Sequence, residues 1–208
     1  LPEPIRQRRE SGRRLRLWSA ACCTGEEPYS LAILLDELLP DVRDWHVTIL
    51  ATDINPRFLR KAVGGVYGDW SFRGAQTDFR DRYFTRTADG RFAIVPEIRN
   101  RVTFAQLNLA EDGFPSLATN TNAMDVILCR NVMMYFTPAH ARRLVGKLRH
   151  ALIDDGWLVV SPSECSQSLF SKFAAVNFPG AVFYRKRDAA ERAAAVWKPE
   201  MLTMSAAA

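Results

Sequence analysis

Leu15-Arg16-Leu17-Trp18-Ser19-Ala20, then Ala21-Cys22-Cys23-Thr24-Gly25, then Glu26-Glu27-Pro28-Tyr29-Ser30 and onward to Leu39 is the stretch that decides the fold. The first run is short and mostly apolar, and reads as a strand. The second is built of small residues and reads as a tight loop. The third places leucine at 31, 34, 35 and 38, which is helical spacing, and it stops at Pro40. Strand, loop and helix in that order open a βαβ unit.

The pattern repeats along the chain. Residues 46–51 form a second apolar run of strand length. Asn55-Pro56 opens a helix, with Asn55 as N-cap and Pro56 at the first position. Residues 102–107 alternate as a third strand, and 124–129 are an almost wholly apolar fourth. Thr137-Pro138 opens a helix to about Leu152, 156–160 make a fifth strand, and 181–185 a last one. The prediction is an α/β fold with a mostly parallel sheet covered on both faces. One stretch interrupts the alternation. Residues 82–85 and 91–95 flank Ala88-Asp89-Gly90, and Asp-Gly between two β-prone runs predicts a hairpin. The main domain is expected over 15–187, with a small antiparallel β-insert at about 68–100. A basic linker over 1–14 and an alanine-rich tail over 188–208, frayed or disordered, are expected to flank it.

Composition narrows the function classes. The net charge is +5, and +4 of it lies in residues 1–16, where six arginines face only Glu3 and Glu10. The rest of the chain is near neutral, so a basic nucleic-acid groove is not expected. The arginine run is read as a solvated linker or helix face. No run of about eighteen apolar residues predicts a membrane span. No apolar segment at the start reads as a secretory signal, which points to the cytoplasm. The four cysteines, Cys22, Cys23, Cys129 and Cys165, contain no C-x-x-C pair, so no metal site is expected.

Open parallel sheets bind ligands beyond the carboxyl ends of their strands, so the residues after each strand carry the functional reading. Ala20, Thr24 and Gly25 belong to a loop of small residues that a ligand can approach closely. With one glycine in that loop, it is not the GxGxxG dinucleotide signature. Glu26 and Glu27 either complement the helix dipole or attract an ammonium group; they would repel a phosphate. Asp53, ending the second strand, is the usual partner of ribose hydroxyls, and Asn55 leaves it free of capping duty. Asn108 and Leu109 suit an adenine edge and face, or an ordinary loop. Arg130 and Asn131 directly follow a buried strand, where polar groups need partners. Tyr135 is either a packed aromatic or a site residue. Ser161-Pro162-Ser163-Glu164 reads as a turn.

These residues resemble a known family. The run from Trp18 to Ser30, the run Ala51-Thr52-Asp53-Ile54, the Asn108-Leu109 pair and the run from Cys129 to Phe136 are similar to the CheR-type protein-glutamate methyltransferases. Trp70-Ser71-Phe72-Arg73-Gly74 and Arg82-Tyr83-Phe84 also resemble family members. The likeness spans about 15–187 in the same order. It implies a Rossmann-like, seven-stranded class I methyltransferase sheet with a small β-subdomain inserted. It implies S-adenosyl-L-methionine as cofactor and S-adenosyl-L-homocysteine as product. By the resemblance, Glu26 and the 20–25 loop hold the methionine portion, Asp53 the ribose, and Asn108 with Leu109 the adenine. Arg130, Asn131 and Tyr135 line the methyl-transfer end.

The implied activity is O-methylation of glutamate side chains on the cytoplasmic domain of a chemoreceptor or a related signalling protein. The family pattern also includes an N-terminal helical docking domain and a Thr-Phe-Phe-Arg-like segment, both of which would precede Leu1. Family members often carry a histidine where this chain has Pro162. The alternatives are a cofactor-binding domain with little activity alone, and a methyltransferase for another protein acceptor.

Overall fold

The computed structural model describes residues 1–74, 77–178 and 181–187. In chain order the helices are α1 (Pro2–Glu10), α2 (Glu26–Leu38), α3 (Pro56–Gly64), α4 (Thr77–Tyr83), α5 (Pro96–Arg99) and α6 (Pro138–Ala151). The strands are β1 (Arg14–Ala20), β2 (His46–Asp53), β3 (Val66–Tyr67), β4 (Phe84–Arg86), β5 (Phe92–Ile94), β6 (Val102–Gln106), β7 (Met124–Leu128), β8 (Leu152–Val159), β9 (Phe173–Phe178) and β10 (Ala181–Lys186).

Seven strands form the main sheet in the order β6-β2-β1-β7-β8-β10-β9, and β3-β5-β4 form a small second sheet. β6, β2, β1, β7 and β8 run parallel, while β10 is antiparallel to both β8 and β9. The expected fold class is therefore observed, with one strand more than the residue pattern alone gives. That strand, β9, contains Ala174-Ala175 and alternates weakly, but pairs with β10 along its whole length.

β1 is the middle one of the five parallel strands. Residues 15–20 are all buried, so side chains on both faces enter a core. On one face Trp18, Ile127, Leu158 and Tyr184 meet the α6 residues Leu144, Val145 and Leu148. On the other, Leu15, Leu17, Ile49 and Val126 meet Leu31, Ile33 and Leu35 of α2. Each such large side chain contributes roughly 1.5–3 kcal/mol on full burial. Trp18 also needs a partner for its indole N–H, and donates to Thr52 Oγ1 at 2.9 Å.

The helix starts follow the capping chemistry. Asn55 accepts from the Arg57 N–H, and Thr137 from the His140 N–H, each before a proline at the first helical position. The hairpin predicted around Asp89-Gly90 is present as β4 and β5, and Val66–Tyr67 adds a third strand.

The arginine-rich lead-in, read as a solvated linker or helix face, is a helix with Arg6 and Arg9 exposed. Residues 2–10 are the helix α1, with Pro4 and Ile5 buried. Arg8 donates to Asp125, and Asp125 also accepts the backbone N–H of Arg16 at 2.8 Å. Part of the positive charge is thus committed inside the fold. The alanine-rich tail lies outside the described residues.

Asp125 is 3% exposed, so removing it leaves a buried N–H and a guanidinium without their acceptor. Asp125→Ala is expected to lower stability by about 2–4 kcal/mol, measured by urea unfolding.

Candidate active site

Because β6, β2, β1, β7 and β8 are parallel, the loops that follow them emerge at one rim. The loop after β1 is held in an unusual backbone. Ala21 (φ 67°), Cys23 (φ 51°) and Gly25 (φ 95°) all lie in the left-handed region. At Gly25 the requirement is sharpest: a Cβ would lie 2.9 Å from both the Ala62 Cβ and the Tyr67 hydroxyl, so a neighbour would have to shift. The same contact shows how closely the β-insert approaches this loop. Tyr67 donates to the Thr24 carbonyl at 2.9 Å, and Ser71 reaches the Glu26 carboxylate at 3.3 Å. The Thr24 hydroxyl donates to Glu26 Oε2 at 2.6 Å.

Asp53 does not stand free. Its two oxygens accept the Asn55 N–H at 2.8 Å and the Cys23 N–H at 2.9 Å. It therefore ties the β2 loop to the β1 loop, and its remaining lone pairs are what a hydroxyl ligand can use. Next to it, the Leu107 N–H donates to the Asp53 carbonyl, which joins the β6 loop to the same set. Asn108 forms a local turn, accepting from Ala110 N–H and donating to Glu111. Leu109 is turned into the core beside Trp18 and Phe114, at 7% exposure.

On the other side of β1, Glu27 accepts from Ser19 at 2.7 Å and from Arg130 at 3.3 Å. Arg130 is half-exposed, so this pair contributes little to stability. Tyr135 is 82% exposed in a single turn of 3-10 helix over Met133–Tyr135. Ala20, Thr24, Gly25, Glu26, Asp53, Arg130 and Asn131 thus share the rim over adjacent strands β2, β1 and β7. Asn108 sits on the flank at β6, Leu109 is turned inward, and Tyr135 stands at the outer edge.

One residue read as part of a turn is more than that. Glu164, 8% exposed, accepts the backbone N–H groups of Asn131, Val132 and Met133 at 2.6–2.7 Å. Burial works to raise its carboxyl pKa, but the hydrogen bonds from Ser161, Asn131, Met133 and Val132 together outweigh it and hold the group below its ordinary value. Its charge is therefore present at neutral pH and lost only in acid. The sequence did carry a signal, since Ser161-Pro162-Ser163-Glu164 is a capping box.

The rim presents carboxylates beside a backbone that only small residues tolerate. That donor set fits a cationic amino-acid nucleoside and opposes a pyrophosphate. Among the described residues, no cluster of three or more His, Cys, Asp or Glu is arranged to hold a metal ion. The family described as CheR methyltransferase, SAM binding domain, matches residues 1–181. The chain belongs to this family. Its cofactor is S-adenosylmethionine.

Relatives agree. The chain is 35% identical over 192 residues to the chemotaxis protein methyltransferase 1 of Pseudomonas aeruginosa, covering 90% of this chain and 67% of that protein. It is 32% identical over 179 residues to the chemotaxis protein methyltransferase 2 of Vibrio cholerae, covering 86% and 61%. It is 33% identical over 183 residues to the probable biofilm formation methyltransferase WspC of Pseudomonas aeruginosa, covering 88% and 42%. The chain therefore spans only part of each relative's length. Among solved structures, the CMeT domain of the citrinin polyketide synthase aligns with a TM-score of 0.52 at 12% identity, covering 86% of this chain and 48% of that one. This likeness concerns the fold alone.

Gly25→Ala is expected to cost at least about 1 kcal/mol from the backbone alone and to weaken S-adenosylhomocysteine binding about tenfold or more by calorimetry. The thiols give a second check. Burial, with Asp53 nearby, pushes the Cys22 thiol up to about 12, while Cys23 is exposed. With an aromatic disulfide reagent at pH 8, Cys23 is expected to react first and Cys22 only on unfolding, with S-adenosylhomocysteine slowing the Cys23 reaction.

Proposed function

We propose that this domain transfers the methyl group of S-adenosylmethionine to glutamate side chains on a chemoreceptor cytoplasmic domain or a related signalling protein, giving glutamate methyl esters in the cytoplasm. The observation that carries the reading is the rim itself: Glu26, Glu27 and Asp53 gathered around a left-handed loop, with Arg130 reaching Glu27 from the loop after β7. Membership of the CheR family and the printed names of its relatives support the acceptor class. WspC supports extending it beyond chemotaxis receptors.

Under this reading Glu26 and the 20–25 loop hold the methionine portion, Asp53 the ribose and Asn108 the adenine. The chemistry supplied by bound S-adenosylmethionine is an electrophilic methyl group on a sulfonium, open to attack by a carboxylate oxygen. A glutamate side chain, with a reference pKa of about 4.3, is already ionised at neutral pH, so no residue has to remove a proton. Arg130 orients the acceptor carboxylate in this reading, which its half-buried guanidinium and, among the described residues, its lone ion-pair partner Glu27 at 3.3 Å support. Tyr135 contacts the acceptor chain in this reading, supported by its exposure at the edge of the same loop. Opposite charges cancel as the ester forms, so a site that excludes water and aligns the reactants helps most.

A second reading rests on the partial span of the relatives: the domain binds cofactor but transfers poorly without further contacts to the acceptor. The two are separated by one pair of measurements. The domain is mixed with labelled cofactor and a receptor cytoplasmic fragment, and S-adenosylhomocysteine binding is measured in parallel. Methyl label released by mild base is expected. Label stable to mild base overturns carboxyl methylation, and binding without any label supports the second reading.

A further inference from the structure

We propose that Glu164 is a positioning residue of the reaction, holding the loop after β7 in the shape that presents Arg130, Asn131 and Tyr135 at the rim. The inference rests on the methyl-transfer reading and adds to it a residue from the far side of β8.

The geometry is a buried anion gripped from two directions. Oε1 accepts from Val132 at 2.6 Å and Met133 at 2.7 Å. Oε2 accepts from the Asn131 N–H at 2.7 Å, the Ser161 N–H at 3.2 Å and the Ser161 hydroxyl at 2.5 Å. Three consecutive N–H groups converging on one point form a concave donor set that requires an anion. A neutral residue there leaves buried donors without a full acceptor.

The loop's shape has a local basis and an anchor. Asn131 has φ 58°, in the left-handed region that asparagine enters more readily than other residues with a Cβ, and its N–H is held there by Glu164. The last ladder-like bond between the two strand ends is Cys129 N–H to the Val159 carbonyl. Beyond it β7 and β8 diverge, and the Glu164 carboxylate takes over as the link between their loops. Glu164 is itself fixed by the capping box that begins at Ser161. Arg130 lies between the end of the ladder and the anchored N–H groups, so its reach to Glu27 follows from where Glu164 puts the loop.

The test is Glu164→Gln in the full chain, which keeps the volume, removes the charge and turns an NH2 group toward N–H donors. Binding of S-adenosylhomocysteine by calorimetry is expected to weaken about tenfold or more. The amide protons of Val132 and Met133 are expected to move upfield while those of β1 and β2 stay in place. This shift is a signature that a general loss of stability would not produce, and thermal unfolding is the control. Native protein that fails to bind S-adenosylhomocysteine sinks the methyl-transfer reading, whereas the amide shifts still judge the role of Glu164 in the loop. A folded variant that binds within about threefold of the native chain, or whose Val132 and Met133 amides do not move, overturns the proposal. Should the variant not fold, hydrogen exchange in the native chain decides: Val132 and Met133 are expected to be protected like the amides of β7, and exchange as fast as exposed loop amides overturns it.

Discussion

Buried carboxylates accepting backbone N–H groups from a neighbouring loop are the interaction on which this rim depends. A parallel sheet delivers several strand ends to one edge, but the ladder stops there and the loops would otherwise separate. Asp53 links the loop after β2 to the loop after β1 through the Cys23 N–H. Glu164 links the loop after β8 to the loop after β7 through three N–H groups. Glu27 spans the gap between them, receiving Ser19 from β1 and Arg130 from the β7 loop. The result is a continuous line of acceptors across adjacent strands. Charged acceptors suit this task, because hydrogen bonds to them are roughly twice as strong as neutral ones.

The β-insert is joined to the same line. Tyr67 caps the Thr24 carbonyl and Ser71 touches Glu26, so the small sheet leans on the loop that carries the closest backbone approach. Burial and the nearby Glu26 charge both hold the Tyr67 hydroxyl in its protonated form. It therefore donates throughout the ordinary pH range. The fold thus joins the small sheet to the strained loop after β1 by two side-chain contacts.

Much of this was legible in the residues because local signals and burial agree. Asn55-Pro56 and Thr137-Pro138 start helices where capping chemistry says they should, and Asp89-Gly90 turns the hairpin. The apolar run at 124–128 became β7, and the run at 157–160 supplies the end of β8, which starts earlier, at Leu152, and stops at Val159. What escaped had weak or borrowed signals. β9 contains two alanines and depends on β10 for its pairing. The helix α1 is arginine-rich, with few apolar residues, and is fixed by tertiary contacts of Ile5 and Arg8. At the site, residue types at strand ends were readable, but their partners were not. Asp53 looked free because Asn55 could cap the helix, yet the Cys23 N–H claims it. Glu164 looked like a turn residue because its donors lie thirty residues away in sequence, on the loop after β7.

The charge of the rim follows from the same economy of acceptors. A pyrophosphate site uses unpaired N–H groups at a helix start, with glycines to bring the backbone near. Here Asp53 takes the N–H groups of Cys23 and Asn55, Glu164 takes those of Asn131, Val132 and Met133, and Glu26 and Glu27 stand at the start of α2, so an anionic ligand would meet carboxylates in its way. A ligand bearing positive charge meets the opposite situation, because the exposed Glu26 and half-buried Glu27 carboxylates stand beside the loop after β1. Glu26 stands at the start of α2 and, among the described residues, its carboxylate has hydroxyl partners alone, Thr24 and Ser71. The carboxylates that hold the rim together thereby also set the sign of the ligand it admits.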